Sequence, residues 1–523
     1  MADAGSRDHR GLWELISDRA RDTPDHQIAV DEDARSLSAR EFKEAAERAA
    51  AGLHAMGVGP DTPVSWMLPT WLESAVLVGA LSRLGARQNP MLPILGPREM
   101  RFIAGQTGAE LFVVPSVWRD RAFGDEARAI AKDQSGLEVL ECDRELPEGD
   151  PTSLPPPPAP SNPDDAPIRW VFYTSGTTAD PKGAKHTDHS VKASAVGMIR
   201  ALEIVESDRS AMVFPFTHIG GIGWLFTMAI TGCTGIFVES FVPQTTIPVL
   251  QREKVTLAGA GTPFHMAYLA AQRLQPDTPL FPEARVYPGG GAPKPPQLHY
   301  DVKREIGGAG IVSGYGLTEA PIVVMATTTD PDEKLATTEG RPTPGVDLVV
   351  VGPDGSPAGP GVEGEIRLKG PQVVRGYLDP SLDAEAFDED GYFRSGDLGV
   401  VDDQGYVTIT GRLKDVIIRH GENISAKEVE DLLYTHPAVA DAAVIGLPDP
   451  TTGERACAVV ALRDGATLSL DELAGFLRDQ GLRVQAVPEQ LELVPAVPRN
   501  PAGKVLKHAL REQLAPPAEG DDR

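Results

Sequence analysis

The sequence predicts an α/β protein with a large N-terminal domain and a small α+β C-terminal domain. Apolar runs such as "PVSWML" and "ELFVVP" alternate with helical segments such as "ESAVLVGALSRLG", an order typical of layered α/β subdomains around a covered parallel sheet. Short β runs fill residues 336–411, which predicts a small β-barrel-like module. A chain of 523 residues also exceeds what one hydrophobic core organises. We therefore expect an N-terminal domain over residues 1–411 and a C-terminal domain over residues 412–523.

The elements can be assigned in order along the chain. Ser38 followed by Glu41 forms the pattern of a capping box at the start of a long helix, and Gly57 closes that helix. The proline-rich residues 154–167 are a connector, because proline lacks an amide hydrogen and restricts the residue before it. Further apolar runs then end in Gly- or Ser-rich turns: "IRWVF", "SAMVFPF", "GIFVES", "VTLAGAG", "EARVYPGGGAP" and "AGIVSGYGLTEA".

The C-terminal part has a different pattern. The β module contains "DLVVVG", "GEIRLKG" and "GYVTITG", and the last domain contains the helical "AKEVEDLLYTH" and "LDELAGFLRDQG" with the strands "VADAAVIGL" and "RACAVVALR". In open α/β sheets ligands bind beyond the carboxyl ends of strands, so several of the glycine-rich turns are candidates to line one cleft.

Composition excludes several classes of protein. Lys and Arg total 49 against 75 Asp and Glu, for a formal charge of -26, which argues against a nucleic-acid or anionic-membrane surface as the main partner. Cys142, Cys233 and Cys457 are far apart and contain no C-x-x-C pair, so a disulfide framework or zinc site is not favoured. The sequence lacks a signal pattern and a run of 18 apolar residues, and we expect a cytoplasmic protein with no transmembrane segment.

The stretch "YTSGTTADPKGAKHT", residues 173–187, has the composition of a phosphate-binding loop. Backbone N–H groups, hydroxyls and a lysine can converge on an anion. The candidate residues are Thr174, Ser175, Gly176, Thr177, Thr178 and Lys182. A P-loop requires Gly-Lys-Ser/Thr, whereas here Lys182 precedes Gly183, so ordinary P-loop chemistry is not predicted. On composition alone, a solvated Ser/Thr-rich turn is an equal alternative.

Four more motifs carry candidate residues. In "SGYGLTEAP", Tyr315 can stack on a base and Glu319 can hold Mg²⁺ through oxygen. "YPGGGAP" permits close approach of a flat ligand, and Asp397 in "YFRSGDLG" suits ribose hydroxyls. Lys504 lies on a Gly-bounded loop near the end of an acidic chain. Each motif alone has a simpler explanation as a turn or a solvated side chain.

Taken together and in this order, the motifs resemble the adenylate-forming superfamily of acyl-CoA synthetases, carrier-protein adenylation domains and beetle luciferases. "YTSGTTADPKG" resembles the phosphate loop of that family, "YGLTEA" its core motif and "YFRSGDL" its Gly-Asp turn, while "GRLKD" resembles its hinge and "NPAGKVLK" its C-terminal catalytic loop. The resemblance spans residues 10–510. Ser395 and Asn500 stand where threonine is common, and neither departure removes a charged group.

The resemblance implies a role for each matching residue. ATP would bind with Tyr315 against adenine, with Asp397 and Arg412 on the ribose, and with Thr318 and Glu319 facing the α-phosphate and Mg²⁺. Residues 174–178 and Lys182 would hold the β- and γ-phosphates, and Lys504 would be catalytic. The glycine-rich positions that would line the nucleotide are Gly290, Gly291, Ala292, Gly314 and Gly316.

The resemblance also implies a two-step reaction in which ATP and a carboxylic acid form an acyl-adenylate and coenzyme A then takes the acyl group. The C-terminal domain would be mobile and swing about a hinge at Lys414, and Gly421 would leave room for the pantetheine arm. Without the resemblance, Lys414 is as easily an ordinary exposed lysine.

The segment "FPFTHIGGIGW" resembles the part of the family that lies behind the acyl pocket. His218 would cover that pocket or position the acyl group, although a structural histidine is an equal alternative. Amino-acid-activating relatives place an aspartate just after the corresponding phenylalanine, whereas Thr217 follows Phe216 here, so an amine-bearing acid is disfavoured. Small residues and apolar neighbours in and near this segment indicate a roomy apolar pocket for a fatty, alicyclic or steroid-derived acid, unless the glycines serve helix packing. The small residues are Gly220, Gly221, Gly223, Ala260 and Gly261, and the apolar neighbours are Ile219, Ile222 and Trp224.

Two other functions remain open from sequence. A ligase of this fold could load a carrier protein instead of coenzyme A, although the sequence contains no evident carrier domain. A catalytically silent nucleotide-binding protein is the second alternative, but retention of Lys182, Glu319, Asp397, Arg412 and Lys504 together argues against it. The expected partners are a small carboxylic acid, ATP and coenzyme A, in lipid metabolism, and the sequence leaves a homo-oligomer open.

Overall fold

The computed structural model describes residues 9–174, 181–291, 294–419, 422–449, 451–499 and 504–514. The chain folds into two compact units. The first comprises Met1–Gly291, Pro296–Asp347 and Leu368–Phe393, and the second comprises Ala292–Pro295, Leu348–Arg367 and Arg394–Arg523. The division into residues 1–411 and 412–523, with a β module at 336–411, stays a prediction.

The helices of the first unit are α1 (Leu12–Asp22), α2 (Ala39–Ala55), α3 (Leu72–Leu84), α4 (Pro97–Thr107), α5 (Phe123–Asp133), α6 (Asp188–Leu202), α7 (Ile219–Thr231), α8 (Pro243–Arg252), α9 (Thr262–Leu274), α10 (Pro296–Glu305), α11 (Asp332–Thr337) and α12 (Asp383–Ala386). Helix α2 begins as its capping box predicts. The Glu41 N–H donates to Ser38 Oγ at 3.2 Å, and Glu41 Oε2 accepts from the Ser38 N–H at 2.8 Å, which satisfies two amides that a helix start leaves unpaired.

The strands of the first unit are β1 (Gln27–Asp31), β2 (Ser36–Ser38), β3 (Pro63–Trp66), β4 (Arg87–Pro90), β5 (Leu111–Val114), β6 (Glu138–Glu141), β7 (Trp170–Tyr173), β8 (Gly183–His186), β9 (Arg209–Met212), β10 (Thr234–Phe237), β11 (Tyr287–Gly290), β12 (Ile311–Leu317), β13 (Ala320–Met325) and β14 (Arg341–Pro342). They form sheets in the orders β6-β5-β3-β4-β7-β8, β2-β1-β10-β9 and β11-β12-β13-β14.

The first of these sheets is mostly parallel, as the alternating pattern predicts. Its strands β3, β4, β5, β6 and β7 pair in parallel, and only the last pair, β7 with β8, is antiparallel. The apolar run "VTLAGAG" lies between two neighbouring strands but forms only an isolated bridge. Only Leu257 takes part in pairing there, as a parallel bridge to Ser210 and to Val286.

The remaining strands and helices belong mainly to the second unit: β15 (Asp347–Val351), β16 (Gly364–Lys369), β17 (Phe393–Val401), β18 (Val407–Arg412), β19 (Val416–Arg419), β20 (Glu422–Ser425), β21 (Val439–Asp449), β22 (Gly453–Leu462), β23 (Gln490–Leu493), α13 (Ala426–Leu433), α14 (Leu470–Asp479) and α15 (Lys507–Leu514). One sheet has the order β15-β16-β17-β18. The other has the order β20-β19-β22-β21, with β23 also paired to β22.

Strand β21 is buried on both faces. Ala442 and Val444 pack in one hydrophobic cluster with α13 and α14, whereas Ala443 and Ile445 pack in another with α15. This alternation explains why the segment reads as a continuous apolar run. The three cysteines are buried and free. Within the described ranges, no helix combines the length and apolar content needed to cross a membrane.

Candidate active site

The candidate phosphate loop is the connection between two antiparallel strands. Tyr173 at the end of β7 pairs with Gly183 at the start of β8, and the Thr174 N–H donates to Lys182 O at 3.1 Å. Strand β7 is buried at Trp170, Val171 and Phe172. The sequence therefore predicted correctly that the loop follows a buried strand, but its predicted extent of 173–187 is wrong, because Tyr173 ends β7 and Gly183–His186 form β8. Thr174 and Lys182 stand at its two ends, while Ser175, Gly176, Thr177 and Thr178 lie outside the described residues.

Lys182 lies over an aromatic ring that the sequence analysis did not single out. Its Nζ is 5.5 Å from the centroid of the Tyr377 ring, within the range of a cation–π contact. Tyr377 is buried and forms a bridge to Ala184 of β8. Strand β8, which follows the phosphate loop, therefore also pairs with the segment that contains this tyrosine.

Glu319 lies in the turn between β12 and β13, close to the same tyrosine. The Tyr377 hydroxyl donates to Glu319 Oε1 at 2.8 Å, and the Val374 N–H donates to Glu319 O at 2.7 Å. The residue is only 9% exposed, and a buried carboxylate is costly unless it is hydrogen-bonded. The hydroxyl therefore makes the buried position of Glu319 tolerable.

The backbone carbonyl of Thr318 accepts a hydrogen bond from a histidine of the 173–187 segment. His186 on β8 is fully buried, and burial lowers its pKa to about 4 because the charged ring would lose its hydration. The neutral ring donates from Nε2 to Thr318 O at 2.9 Å and accepts at Nδ1 from Ser190 Oγ at 3.0 Å. Strand β8 therefore fixes the Thr318–Glu319 turn through a side chain as well as through Tyr377.

Two glycines of the predicted nucleotide wall, Gly290 and Gly316, are required by close backbone packing. A Cβ on Gly290 would lie 2.8 Å from Gly314 O, and one on Gly316 would lie 2.3 Å from Ile322 N. Both distances are too short for any residue with a side chain. Tyr315 stands between Gly314 and Gly316 on β12 and is 9% exposed. A role of Gly290, Gly291, Gly314, Tyr315 and Gly316 in binding adenine stays a prediction, and Ala292 lies outside the described residues.

In the second unit, the predicted ribose ligands are partners across two strands. Asp397 on β17 pairs with Arg412 on β18, and Arg412 Nε lies 2.7 Å from Asp397 Oδ1. The motif "YFRSGDL" was interpreted as a turn. That prediction is wrong, because Asp397 lies within a nine-residue strand. Ser395 keeps the hydroxyl function of the usual threonine: its Oγ donates to Ile366 O at 2.6 Å and accepts from the Asp397 N–H at 3.0 Å.

Lys504 belongs to the same unit as this ion pair. Partial burial, together with the positive charges of Arg412 and Lys414, lowers the pKa of its ammonium to about 8, against the opposing effect of Asp397 and Asp415. An ammonium held among cations is well suited to an anionic ligand. Lys414 is exposed and lies in a single helical turn, Leu413–Asp415. Its hinge role stays a prediction, and Gly421 lies outside the described residues.

His218 caps the start of α7. Its Nδ1 accepts from the Gly220 N–H at 3.1 Å, and burial lowers its pKa to about 4, so the neutral ring carries its proton on Nε2.

The glycines near His218 do not all create pocket volume. A Cβ on Gly221 would lie 2.3 Å from Phe216 O, and one on Gly261 would lie 3.0 Å from Gly290 O. Gly221 is thus explained by helix packing, the alternative reading of these glycines. Ile219, Ile222 and Trp224 belong to the main hydrophobic core.

The donor set fits Mg²⁺ that arrives with a nucleotide. Among the residues described, no cluster of three or more His, Cys, Asp or Glu side chains is placed to hold a metal ion. Mg²⁺ usually keeps several waters and takes one or two carboxylates plus the phosphates of its substrate. Glu319, a buried carboxylate that shares the partner Tyr377 with Lys182, is of the required kind.

Two residues of this region were missed in the sequence, Tyr377 and His186. Each contacts a predicted site residue far along the chain, 58 positions away for Tyr377 and Glu319 and 132 for His186 and Thr318. The available signals were slight, namely an aromatic residue after Gly376 in "RGYL" and a histidine in a run otherwise interpreted as a loop.

Comparison with known proteins is consistent with this arrangement. The sequence family described as AMP-binding enzyme matches residues 16–378, and the AMP-binding enzyme C-terminal domain matches residues 428–504. A salicyl-AMP ligase / salicyl-S-ArCP synthetase of Mycobacterium tuberculosis is 32% identical over 98% of this chain and 92% of its own length. A medium-chain fatty-acid–CoA ligase of Escherichia coli is 30% identical over 97% and 92%.

Among solved structures, the o-succinylbenzoate coenzyme A synthetase of Bacillus subtilis in complex with ATP and magnesium ion is similar, with a TM-score of 0.82 and 27% identity over 97% of this chain and 99% of that one. The matches cover both parts of the chain, and the motif resemblance is confirmed. The chain therefore belongs to the AMP-binding enzyme family, within the adenylate-forming superfamily that includes the acyl-CoA synthetases.

Proposed function

We propose that the protein is an ATP-dependent carboxylic acid:CoA ligase. In the first step an acid and ATP give acyl-AMP and pyrophosphate, and in the second step acyl-AMP and coenzyme A give acyl-CoA and AMP. The observation that carries this proposal is the electrostatic environment of the Lys504 ammonium, which interacts with the cations of Arg412 and Lys414 and with the carboxylates of Asp397 and Asp415. A lysine in these surroundings suits a phosphate group that gathers negative charge during a reaction.

In the first step an oxygen of the substrate carboxylate attacks the α-phosphorus of ATP. The bond from that phosphorus to the bridging oxygen breaks, and pyrophosphate leaves with the electron pair. A carboxylate is already a nucleophile at neutral pH and needs no general base, which agrees with a neutral, nonbasic His218. The transition state is anionic, and Lys504 stabilises it by preorganised positive charge.

The other charged residues hold the nucleotide. Lys182 and Thr174 bind the β- and γ-phosphates that depart, and Asp397 with Arg412 binds the ribose. Glu319 is the carboxylate that would hold Mg²⁺, with the Thr318 turn facing the α-phosphate. Bound Mg²⁺ would neutralise phosphate charge and polarise the phosphoryl oxygens. The ATP and magnesium ion in the similar synthetase support this assignment.

In the second step the sulfur of coenzyme A attacks the acyl carbon, and AMP leaves. We assign the hinge between the two steps to Lys414, whose short turn lies directly after the ribose-binding Arg412. Gly421 is assigned to the pantetheine path.

The proposed acid is a fatty, alicyclic or steroid-derived acid. The absence of an acidic residue after Phe216 disfavours an amine-bearing substrate, and the fatty-acid ligase of Escherichia coli supports an aliphatic one. Gly221 no longer contributes to this argument, because the Phe216 backbone fills the space beside it. Gly220, Gly261 and His218 remain the assigned pocket positions.

Mass spectrometry of the CoA thioesters formed from a mixed acid library with ATP and Mg²⁺ tests the proposal. The library should pair medium- and long-chain, alicyclic and steroid-derived acids with salicylate, ferulate, acetate and propionate. Thioesters of the first group are expected. Thioesters of acetate or propionate alone would refute the acid class, and absence of any thioester together with absence of AMP release would refute the ligase.

A carrier-protein ligase is the second candidate, because the similar protein of Mycobacterium tuberculosis is named as both a salicyl-AMP ligase and a salicyl-S-ArCP synthetase. Release of AMP separates the two. Coenzyme A should accelerate it if coenzyme A is the acceptor. Acyl-AMP that accumulates unchanged until a phosphopantetheinyl carrier protein is added would favour the second candidate.

A further inference from the structure

Tyr377 contacts two residues of the candidate site that approach it from different parts of the chain. Its hydroxyl donates to Glu319 Oε1 at 2.8 Å, and its ring lies 5.5 Å from Lys182 Nζ. We infer that Tyr377 is a positioning residue for the nucleotide site. Its hydroxyl fixes the orientation in which the Glu319 carboxylate would meet Mg²⁺, and its ring restrains the Lys182 side chain that would bind phosphate. This inference rests on the proposed function.

The tyrosine is itself held rigidly, as a positioning residue must be. The Tyr377 N–H donates to Asp383 Oδ1 at 2.8 Å, and Gly376 before it has φ +87°, a conformation that favours glycine. On either side, the Lys185 N–H donates to Gly376 O at 3.0 Å and the Leu378 N–H donates to Gly183 O at 2.8 Å. The backbone of Tyr377 is thus fixed against the strand that follows the phosphate loop.

The ring is fixed by packing. Tyr377 is 3% exposed and belongs to a hydrophobic cluster with Ala184, Val374, Ala386 and Phe393. A side chain enclosed in this way keeps one rotamer. The hydroxyl at its end is therefore a donor of nearly constant position.

A fixed donor matters for Glu319 because the last torsion of a glutamate is broad. A hydrogen bond to one carboxylate oxygen selects the plane of the group, and bonds to a charged acceptor are among the stronger ones. For Lys182, the aromatic face offers a weaker attraction that limits the freedom of a long side chain before the phosphate arrives. The two effects are separable, because the hydroxyl serves one residue and the ring serves the other.

The alternative is that the hydroxyl only satisfies a buried acid and so stabilises the fold. If so, removing the hydroxyl should lower the unfolding temperature and leave the Mg²⁺ dependence of nucleotide binding unchanged. If Tyr377 is a positioning residue, removing the hydroxyl should change the Mg²⁺ dependence of nucleotide binding more than it changes nucleotide binding without metal.

The test uses Tyr377→Phe and Tyr377→Leu in the full-length protein, with calorimetric titration of a non-hydrolysable ATP analogue in EDTA and at increasing Mg²⁺. Tyr377→Phe keeps the ring, so metal-free binding should stay within about twofold, while the Mg²⁺ concentration for half-saturation should rise about 10- to 100-fold. Tyr377→Leu also loses the ring, so metal-free binding should weaken about two- to fivefold. An unchanged Mg²⁺ requirement in Tyr377→Phe would overturn the inference.

The chain provides a matched control in Tyr392. Its hydroxyl donates to Asp347 Oδ2 at 2.7 Å, and Lys369 Nζ lies 4.3 Å from its ring centroid, so Tyr392→Phe removes the same kind of contact elsewhere in the same unit. Its Mg²⁺ requirement should match wild type, and a rise as large as that of Tyr377→Phe would overturn the inference.

A double-mutant cycle with Glu319→Gln tests whether the hydroxyl acts through that carboxylate. Glu319→Gln should raise the Mg²⁺ requirement, and Tyr377→Phe should add little to it. Full additivity would overturn the inference. Failure of the wild-type protein to bind the analogue with Mg²⁺ would instead refute the proposed function, so the two failures can be told apart.

Discussion

The lowered pKa of Lys504 predicts how adenylation depends on pH. Partial burial and the charges of Arg412 and Lys414 bring that pKa to about 8 from an ordinary value of 10.5. In the proposed function the ammonium is the form that stabilises the anionic transition state, so we expect activity to be lost as the pH rises through this pKa. With a pKa of about 8, the protonated fraction falls about tenfold between about pH 7 and pH 9.

The assay is acid-dependent exchange of labelled pyrophosphate into ATP at subsaturating ATP. The resulting kcat/KM reports ionisations of the free enzyme, and we expect an alkaline limb with an apparent pKa of about 8. Bound phosphate favours the ammonium, so the limb in kcat should lie at higher pH.

Lys504→Arg provides the control, because a guanidinium stays charged throughout this range. The alkaline limb should disappear in that variant even if the rate is lower. Lys504→Ala should keep ATP binding, measured by calorimetry, but lose about 10²- to 10³-fold in exchange. An alkaline limb that persists in Lys504→Arg, or near-wild-type exchange in Lys504→Ala, would refute the assignment of Lys504.

Three further predictions concern the remaining site residues. Lys182→Ala should raise the KM for ATP more than it lowers the maximal exchange rate, and the opposite pattern in initial-rate kinetics would mean that the roles of the two lysines are reversed. Lys414→Pro should spare pyrophosphate exchange and block thioester formation, because proline fixes φ at the assigned hinge; equal loss of both half-reactions would count against a hinge. Ser395→Ala removes the hydroxyl that links Ile366 O to the Asp397 N–H and should raise the KM for ATP about fivefold, the equivalent of about 1 kcal/mol. Ser395→Thr should restore the wild-type value, and a KM that is unchanged in Ser395→Ala would contradict this role.

Local patterns in the sequence were enough to predict the fold class. The capping box of α2 and the buried strand β7 depend on residues a few positions apart, and both are confirmed. The extent of pairing around Leu257 could not be predicted in this way, because its bridges join residues 29 and 47 positions away along the chain.

The candidate site residues also differ in whether the local sequence predicts them. Lys182, Glu319, Asp397 and Lys504 carry charge in glycine-rich surroundings, which is a chemical signal visible in sequence. Tyr377 has no such signal, since its position beside Glu319 follows from how its segment pairs with β8. Gly221 shows the converse problem: a missing side chain reads equally as pocket space or as close packing, and only the distance to Phe216 decides.

The pairing of Asp397 with Arg412 limits how this protein can be recombined with its relatives. A junction after residue 411 would take the aspartate from one parent and the arginine from the other, and would cut β18 at its last residue. A donor segment that begins before β17 would carry the ion pair, Ser395 and Lys504 as one inherited block. Hybrids joined there should keep the Asp397–Arg412 ion pair whichever parent supplies the rest of the chain.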